Sequence, residues 1–260
     1  VRRGMNKSVL NKLTLVGVWF ALFAIFSIAL PETFATINNL ETMIRQTVIT
    51  GAAAIGMTYI IISGEIDLSV GSLVALVTVI IAWCLQKGFN PIVSALCGIL
   101  CGILAGTLNG FFVSKLRINS FIVTLASLLA FRGIAKGVSD EKKIDAPLTY
   151  LNNLTAALSP QEKWKLLPSG GWLVLILAAV AAYALARTVF GRHVVAIGSN
   201  TQTARMCGVN VERTKNGVYA IAGMCFGIAG LLQFARSYYL ETCAKCHGNN
   251  AEGGGGGTHG

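Results

Sequence analysis

Charged side chains are scarce in this sequence, and their scarcity excludes most classes of soluble protein. Only 12% of the 260 residues are charged, whereas 54% are hydrophobic. The mean hydropathy is +0.65. Such values are typical of proteins that cross a bilayer several times rather than of globular domains. The surroundings of this chain are therefore predicted to be lipid.

The sequence also lacks the motifs by which enzymes and nucleic-acid-binding proteins are recognised. It has no Walker lysine motif, no Ser/His/Asp set and no glycine-rich phosphate cradle, so we predict no catalytic residues and no ATP hydrolysis in this chain. No zinc ligand set accompanies the cysteines of the apolar segments. The net charge of +10 comes without a basic and aromatic platform, so DNA or RNA binding is not expected.

What the sequence has instead is a series of long apolar runs. Continuous runs of this kind predict membrane-spanning helices, because the strands of a β-barrel would alternate between apolar and polar residues. The predicted fold is all-α, a polytopic transmembrane helix bundle with about seven spans. The seven runs are residues 13–30, 47–63, 68–85, 91–114, 121–135, 171–187 and 217–235.

Basic residues favour one orientation of these spans. If the amino end is cytoplasmic, the inside segments are rich in lysine and arginine and poor in acidic residues, as membrane proteins generally require. The first run is longer than the core of a signal peptide and no small-residue cleavage site follows it, so we expect an uncleaved anchor. The segments 136–170 and 188–216 are the two long connections, predicted outside and inside respectively.

A charged octet bracketed by glycines, residues 65–72, lies between the second and third runs. Ionisable groups near membrane depth are costly, so each needs a reason to be there. Asp67 precedes the third run, and we expect its carboxylate to cap the first turn of that helix. For Glu65, three interpretations stay open: solvation, pairing with a cytoplasmic arginine, or part of a gate. With Ser69 and Gly71, these residues form the candidate gate motif.

Glycine recurs at every fourth position of the fourth run and so lines one face of the predicted helix. Small residues at that spacing let two helix backbones approach closely. Cys97 and Cys101 adjoin these glycines and are expected to be small packing residues, while Gly223 and Gly227 repeat the pattern in the seventh run. The predicted packing positions in the fourth run are Gly98, Gly102, Gly106 and Gly110.

The inside connection contains the signals of one short helix. Asn200 is a suitable N-cap, and Gly208 is a suitable terminator eight residues later. A helix between them would lie across the membrane face, where a partner protein can dock. A plain loop turn is the alternative interpretation of the same residues.

Three motifs, taken in order, resemble a known family. They are GMTYIIISGEIDLSVGS at residues 56–72, GTLNGFFVSKLRINSFIVTLASLLAFRGIA at residues 106–135, and GRHVVAIGSNTQTARMCGVNVERTK at residues 191–215. The chain resembles the permease subunits of bacterial ABC sugar importers and is similar to their ribose, xylose and galactose branch. The resemblance covers roughly residues 5–236.

The resemblance implies a multi-pass protein of the bacterial inner membrane that moves a monosaccharide inward. It implies a second permease copy, cytoplasmic ABC ATPase subunits that hydrolyse the ATP, and a periplasmic sugar-binding protein. It also implies that the ATPase is met through Asn200, Thr201, Gln202, Thr203, Ala204, Arg205 and Gly208. A transport path needs polar groups at membrane depth, and the candidates, for which interhelical hydrogen bonding is the alternative, are Asn39, Asn109, Thr124 and Ser127.

The chain departs from the family pattern at two places. Relatives usually have two glycines before Ile-Asp-Leu-Ser, whereas this chain has Gly64-Glu65, which questions the local geometry of the turn. Family members also continue beyond the position of Arg236 into further spans. We therefore predict an incomplete membrane-spanning permease domain over residues 1–236 and an unrelated tail over residues 237–260.

The tail contains Cys243-x-x-Cys246-His247, the spacing by which two thiols attach a c-type haem and the histidine ligates its iron. The tail resembles the start of a c-type cytochrome. The segment after His247 is short, rich in glycine and without a methionine that could serve as the second iron ligand, which argues against a haem pocket. A disulfide between the two cysteines, or a frameshifted, fused or truncated reading frame, are the alternatives. No cofactor is expected in the permease part.

Three functions therefore follow from the sequence, with the importer permease favoured. The second is a secondary transporter or channel that needs no ATPase, and the third is a membrane-anchored haem electron carrier. The spans offer the second little support because they contain no buried carboxylate or histidine relay.

Overall fold

The computed structural model describes residues 7–142, 144–155 and 169–238. Within these ranges the chain is helical and contains no strand. The helices are α1 (Lys7–Ala29), α2 (Ile37–Ile62), α3 (Val70–Gln86), α4 (Pro91–Ser114), α5 (Ser120–Ser139), a 3-10 helix (Tyr150–Leu154), α6 (Ser169–Arg187), α7 (Val189–Ser199), α8 (Thr201–Met206) and α9 (Val211–Tyr238).

The all-α prediction is confirmed, and each of the seven apolar runs lies in a helix. Among the described residues, five helices are long and apolar enough to cross a bilayer. The apolar part of α1, Val16–Ala29, and the whole of α3, Val70–Gln86, are shorter than that threshold. The seven predicted runs are thus five full-length candidates and two shorter apolar helices.

The chain divides into two compact units, residues 1–44 and residues 45–260. The first unit holds α1 and the beginning of α2. Its aromatic side chains contact one another, with the rings of Trp19 and Phe23 stacked at 5.8 Å and those of Phe26 and Phe34 at 5.4 Å. These contacts stay within the first unit and order its aromatic surface.

The second unit is built around α9. This helix packs against α3 and α4, and α3 also packs against α4 and α5. Its largest side chains, Tyr219, Phe226 and Phe234, are fully buried. The consequence is a bundle in which α9 is surrounded by protein, whereas α6 has most of its surface exposed.

The two faces of α4 show why this helix packs as it does. The glycine face meets α9, whereas leucines at the same four-residue spacing point away and are about half exposed. Large apolar side chains exposed along a whole helix face are what a lipid-facing surface requires. The exposed leucines are Leu96, Leu100, Leu104 and Leu108.

Three connections meet at one end of the second unit. Residues 64–66, residues 113–121 and the α8 region line one cavity, so all three lie on the same side of the bundle. The topology predicted from the basic residues requires these connections to share a side. Which side of the membrane this is stays a prediction.

The inside connection contains more structure than the single short helix that was expected, because α7 precedes α8. The Thr188 hydroxyl oxygen accepts a hydrogen bond from the Gly191 amide at 3.2 Å and caps the start of α7. Val194 and Ile197, one turn apart, are buried. α7 was not predicted, although its cap residue and this apolar spacing are signals from which it could have been.

Candidate functional site

The loop between α2 and α3 begins with a tight turn at Gly64. This residue has φ of +81°, in the left-handed region that favours glycine. The amides of Gly64 and Glu65 donate to the carbonyls of Ile61 and Ile60 and so close the last turn of α2. Because the left-handed position falls on Gly64 and Glu65 has an ordinary φ, the turn accommodates a carboxylate after the glycine.

Glu65 forms an ion pair with Lys215 in the first turns of α9. The side chains are only 13% and 16% exposed, so water screens this pair weakly. Of the three interpretations left open for Glu65, the structure shows pairing, with a lysine rather than an arginine as the partner. The pair joins two segments that lie 150 residues apart in the chain.

Asp67 is buried, with 4% of its surface exposed. Its carboxylate accepts hydrogen bonds from the backbone amide of Ser69 at 2.7 Å and from the Ser69 hydroxyl at 2.6 Å. The expectation that Asp67 caps α3 is wrong, because α3 begins two residues later than the predicted run and its N-cap is Ser69. Asp67 instead closes an Asx-type turn before the helix. Burial raises the pKa of the Asp67 carboxyl, and the two hydrogen bonds from Ser69 offset part of that rise.

A chain of buried hydrogen bonds continues from Asp67 into the bundle. The Asn109 side-chain amide on α4 donates to the Ser69 hydroxyl at 3.1 Å. The Ser127 hydroxyl on α5 donates to the Asn109 side-chain oxygen at 2.6 Å. We call Asp67, Ser69, Asn109 and Ser127 the polar chain. It links the α2–α3 loop with α4 and α5. Gly71, the second residue of α3, is exposed.

The loop is also held by α5. The Ile66 amide donates to the Ser120 hydroxyl at 3.3 Å, and the Thr124 hydroxyl donates to the Ser120 carbonyl at 2.8 Å. Thr124 is fully buried. Three of the four candidate path residues, Asn109, Thr124 and Ser127, therefore occupy interhelical or intrahelical hydrogen bonds in this structure. For Asn109 and Ser127 the structure shows the alternative, interhelical hydrogen bonding, whereas the bond of Thr124 lies within α5. Contact of the three residues with a substrate stays a prediction.

The fourth candidate path residue, Asn39, belongs to the first unit. Its side-chain amide donates to the carbonyl of Phe34 at 2.8 Å, next to the start of α2. This bond is local and fixes the chain where α2 begins. Its assignment to a transport path likewise stays a prediction.

The glycines of α4 lie where α4 meets its neighbours. A Cβ atom added at Gly102 would stand 2.5 Å from the carbonyl oxygen of Gly223, and one added at Gly106 would overlap the carbonyl of Tyr219. Gly110 is close to Asn216 of α9, and Gly98 is close to Ile81 of α3. Only glycine allows this approach of two backbones. In this packing, Asn109 of α4 lies within hydrogen-bonding distance of Ser69.

The short helix predicted from Asn200 and Gly208 is confirmed as α8. The Asn200 side-chain oxygen accepts from the Thr203 amide at 2.9 Å, and Gly208 follows the helix with φ of +84°. Ala204 is buried with Ile197 of α7 and Val211 of α9. This small apolar cluster holds α8 against its two neighbours.

The three faces of α8 have different surroundings. Ala204 faces the apolar cluster, whereas Thr201 and Arg205, one turn apart, line the cavity shared with the α2–α3 loop. The remaining residues face outward, and Met206 is 88% exposed. The outward residues are Gln202, Thr203 and Met206.

Lys215, Ser120 and Asn119 are site residues that sequence reasoning did not single out. Lys215 was counted only as one of many basic residues on its side, and the two others as loop residues. The position of Asn119 and Ser120 before the fifth run was a usable signal, since Asn119 caps α5 by accepting from the Phe121 amide at 2.9 Å. Nothing local indicates the partner of Lys215.

The proposed haem motif, Cys243, Cys246 and His247, lies outside the described residues, as does the rest of the tail from residue 239. Haem attachment there stays a prediction. In the parts of the chain that the structure describes, no group of three or more His, Cys, Asp and Glu side chains is placed to hold a metal ion.

The fold and its exposed apolar faces define a polytopic integral membrane protein. Residues 39–241 match the family described as branched-chain amino acid transport system / permease component, and the chain belongs to that family. It is thus a permease component, the membrane subunit of a transport system and not itself a catalytic subunit. The resemblance drawn from the three motifs is confirmed at this level.

Several curated relatives are similar over most of their length. The xylose transport system permease protein of Escherichia coli (strain K12) is 29% identical over 306 aligned residues, covering 96% of this chain and 77% of the relative. The ribose import permease protein of the same strain is 32% identical, and the alignment covers 90% of this chain and 73% of the relative. The ribose import permease protein of Bacillus subtilis (strain 168) is 35% identical, and the alignment covers 86% of this chain and 69% of the relative. No solved structure matches.

Proposed function

We propose that this chain is the permease subunit of an ATP-driven importer that moves a monosaccharide across the bacterial inner membrane. The names of its relatives support the substrate class, because xylose and ribose are both five-carbon sugars. The family assignment supports a membrane subunit that works with separate partners. Those partners would be cytoplasmic ATPase subunits, a periplasmic sugar-binding protein and a second permease copy.

The observation that carries the proposal is the exposed face of α8. This six-residue helix buries Ala204 against the bundle and carries a methionine, Met206, that is 88% exposed. An apolar side chain so fully exposed on a short surface helix is available for contact with a partner protein. We assign the contact with the ATPase to residues 200–208, with Gln202, Thr203 and Met206 facing the partner and the amino terminus of the chain in the cytoplasm.

The contacts around α8 suggest how a push on this helix would reach the bundle. α8 is packed on Ile197 and Val211, and Val211 begins α9. One turn further, Lys215 of α9 pairs with Glu65 of the α2–α3 loop. The loop then connects through the polar chain to α4 and α5. In this proposal, ATP-driven closure of the ATPase pair moves these elements together as a rigid-body gate.

The proposal is tested by placing a charge on the outward face of α8. Met206→Glu should leave insertion and thermal stability unchanged, because the side chain is 88% exposed, but should abolish co-purification of the ATPase subunits and ATP-dependent sugar uptake in proteoliposomes. The matched control is Leu148→Glu, another exposed apolar residue, in the segment predicted to lie on the opposite side. It should keep the ATPase bound.

Two results would contradict the proposal. The first is Met206→Glu protein that assembles with its ATPase and transports normally, which would remove the coupling assignment. The second is uptake that follows an ion gradient and ignores ATP depletion, which would favour a secondary transporter.

A further inference from the structure

The cavity beneath α8 shares Glu65, Arg205 and Lys215 with the proposed coupling route, but that route assigns no ligand to the cavity itself. Its volume is about 490 Å³, within the range of small-molecule sites. It is lined by four segments: the α2–α3 loop, the α4–α5 connection, α8 and the start of α9. A ligand here would contact every element that the proposed coupling route connects.

Positive charge dominates the lining. Arg117, Arg205 and Lys215 line the cavity together with a single carboxylate, Glu65, which is paired with Lys215. Glu212, which is not part of the lining, approaches Arg117 at 3.7 Å, but both side chains are well exposed and the pair is weak. Within the described part of the chain, Arg205 has neither an ion pair nor a side-chain hydrogen bond. One guanidinium therefore has no neutralising partner.

Neutral polar groups complete the lining. Asn119 uses its side-chain oxygen to cap α5, so its amide NH₂ group remains a donor toward the cavity region. The Ser120 hydroxyl, which also lines the cavity, accepts from the Ile66 amide. These groups lie at the amino end of α5, where the helix dipole adds to the positive potential.

We propose that this cavity binds a phosphate group, carried either by a small soluble ester or by the headgroup of an anionic lipid. Phosphate presents several acceptor oxygens with up to two negative charges, and guanidinium groups bind it in a bidentate manner that a lysine or a hydroxyl does not match. A phosphate held by Arg205 of α8 and Arg117 of the α4–α5 connection bridges two elements between which the described residues show no direct hydrogen bond or ion pair. Its binding would fix α8 relative to the bundle.

The regulatory consequence rests on the proposed function, whereas the binding itself does not. If α8 transmits the action of the ATPase, a phosphate ligand that holds α8 in one position would change the rate of transport. The ligand would act from the side of the membrane on which the ATPase binds. Such an effect requires that the ligand prefer one of the two positions of α8. Binding is therefore measured first, on the permease alone.

The test uses the full chain in nanodiscs of phosphatidylcholine, titrated with inorganic phosphate at constant ionic strength and followed by calorimetry. We expect saturable binding at one site per chain. Arg205→Gln should weaken it about 10-fold to 100-fold, the loss expected for a charge-assisted hydrogen bond. Arg117→Gln should also weaken it. The matched control is Arg213→Gln, an exposed arginine near the start of α9 that does not line the cavity.

A second arm separates the two sources of phosphate. If the natural ligand is a lipid, free phosphate will bind only weakly at this site, and phosphatidylglycerol will be retained through purification by the parent chain and by Arg213→Gln and lost from Arg205→Gln. The proposal is overturned if neither phosphate nor phosphatidylglycerol binding depends on Arg205. It is also overturned if Arg205→Gln loses only the ATPase, since the cavity would then belong to the protein contact tested independently at Met206.

Discussion

The polar residues of this permease fall into two regions that differ in how their hydrogen-bonding groups are satisfied. In the polar chain, Asp67, Ser69 and Asn109 are each less than 5% exposed and bond to one another. On α8, the polar Gln202 and Thr203 face outward together with the apolar Met206, and Ala204 packs against the bundle. The first region connects helices inside the bundle, whereas the second is an exposed surface to which a partner protein can bind.

The difference shows how polar residues in a membrane protein can be sorted without knowing the ligand. Buried polar groups that hydrogen-bond to each other determine the geometry of the bundle, and substituting them lowers the stability of the fold. Exposed groups without internal partners are free to bind another molecule, and their loss acts on assembly. The following predictions separate these outcomes, in decreasing order of expected effect on stability.

The largest effect is expected at the helix contact that positions Asn109. Gly106→Leu places a side chain against the carbonyl of Tyr219, a backbone atom that cannot move aside. We expect a loss of more than about 3 kcal/mol, beyond the usual overpacking range, seen as aggregation or a strongly lowered melting temperature in detergent. The control is Gly133→Leu on α5, where nothing lies within 4 Å. Equal melting temperatures for the two variants would contradict the packing account.

The next effect concerns the Glu65–Lys215 pair. Lys215→Met leaves a carboxylate that is only 13% exposed without its partner, and we expect destabilisation by about 3 kcal/mol. Adding Glu65→Gln to that variant should restore most of the loss, because neither charge then remains unpaired. Thermal unfolding of both variants measures the effect. If the double variant is as unstable as the single one, the pair does not act as a unit.

A smaller effect is expected in the polar chain. Ser69→Ala removes the hydroxyl that donates to Asp67 and accepts from Asn109, at a cost of about 2 kcal/mol. Ser127→Ala acts on the same Asn109 side chain, so the two changes should not be additive, with a coupling energy of about 1 kcal/mol. A double-mutant cycle of unfolding free energies tests this. Strict additivity would mean that Asn109 does not connect the two serines.

The smallest effect on stability is expected on α8. Met206→Ala should change the unfolding free energy by no more than about 0.5 kcal/mol, because an exposed side chain loses little packing. It should still weaken the affinity for the ATPase, measured by pull-down at graded concentrations. A large loss of stability would place Met206 inside the bundle and remove the distinction between the two regions.

The sequence was sufficient for features that depend on neighbours along the chain. The seven long helices follow from continuous apolar runs, and α8 follows from the N-cap Asn200 and from Gly208, whose left-handed φ suits a glycine, whereas α7 was not predicted. The glycine spacing of α4 likewise indicated a close helix contact, and Gly102 and Gly106 lie against Gly223 of α9.

The sequence was insufficient where a partner comes from a distant segment. Lys215 meets Glu65 across 150 residues, and Ser69 meets Asn109 across 40, so no local pattern indicates either bond. The cap of α3 was assigned to Asp67 instead of Ser69, because both residue types favour that position and tertiary contacts decide between them. The cavity beneath α8 depends on four segments and was not predicted.

The central claim, that α8 is the cytoplasmic contact with an ATPase, is tested most directly at Cys207, the exposed cysteine that follows this helix. In a chain that keeps Cys207 as its one cysteine, a membrane-impermeant maleimide should label it in inverted vesicles and not in right-side-out vesicles, and the label should be lost when Cys207→Ser is added. Assembly with the ATPase subunits should protect it. Labelling from the outside, or undiminished labelling in the assembled complex, would contradict the account.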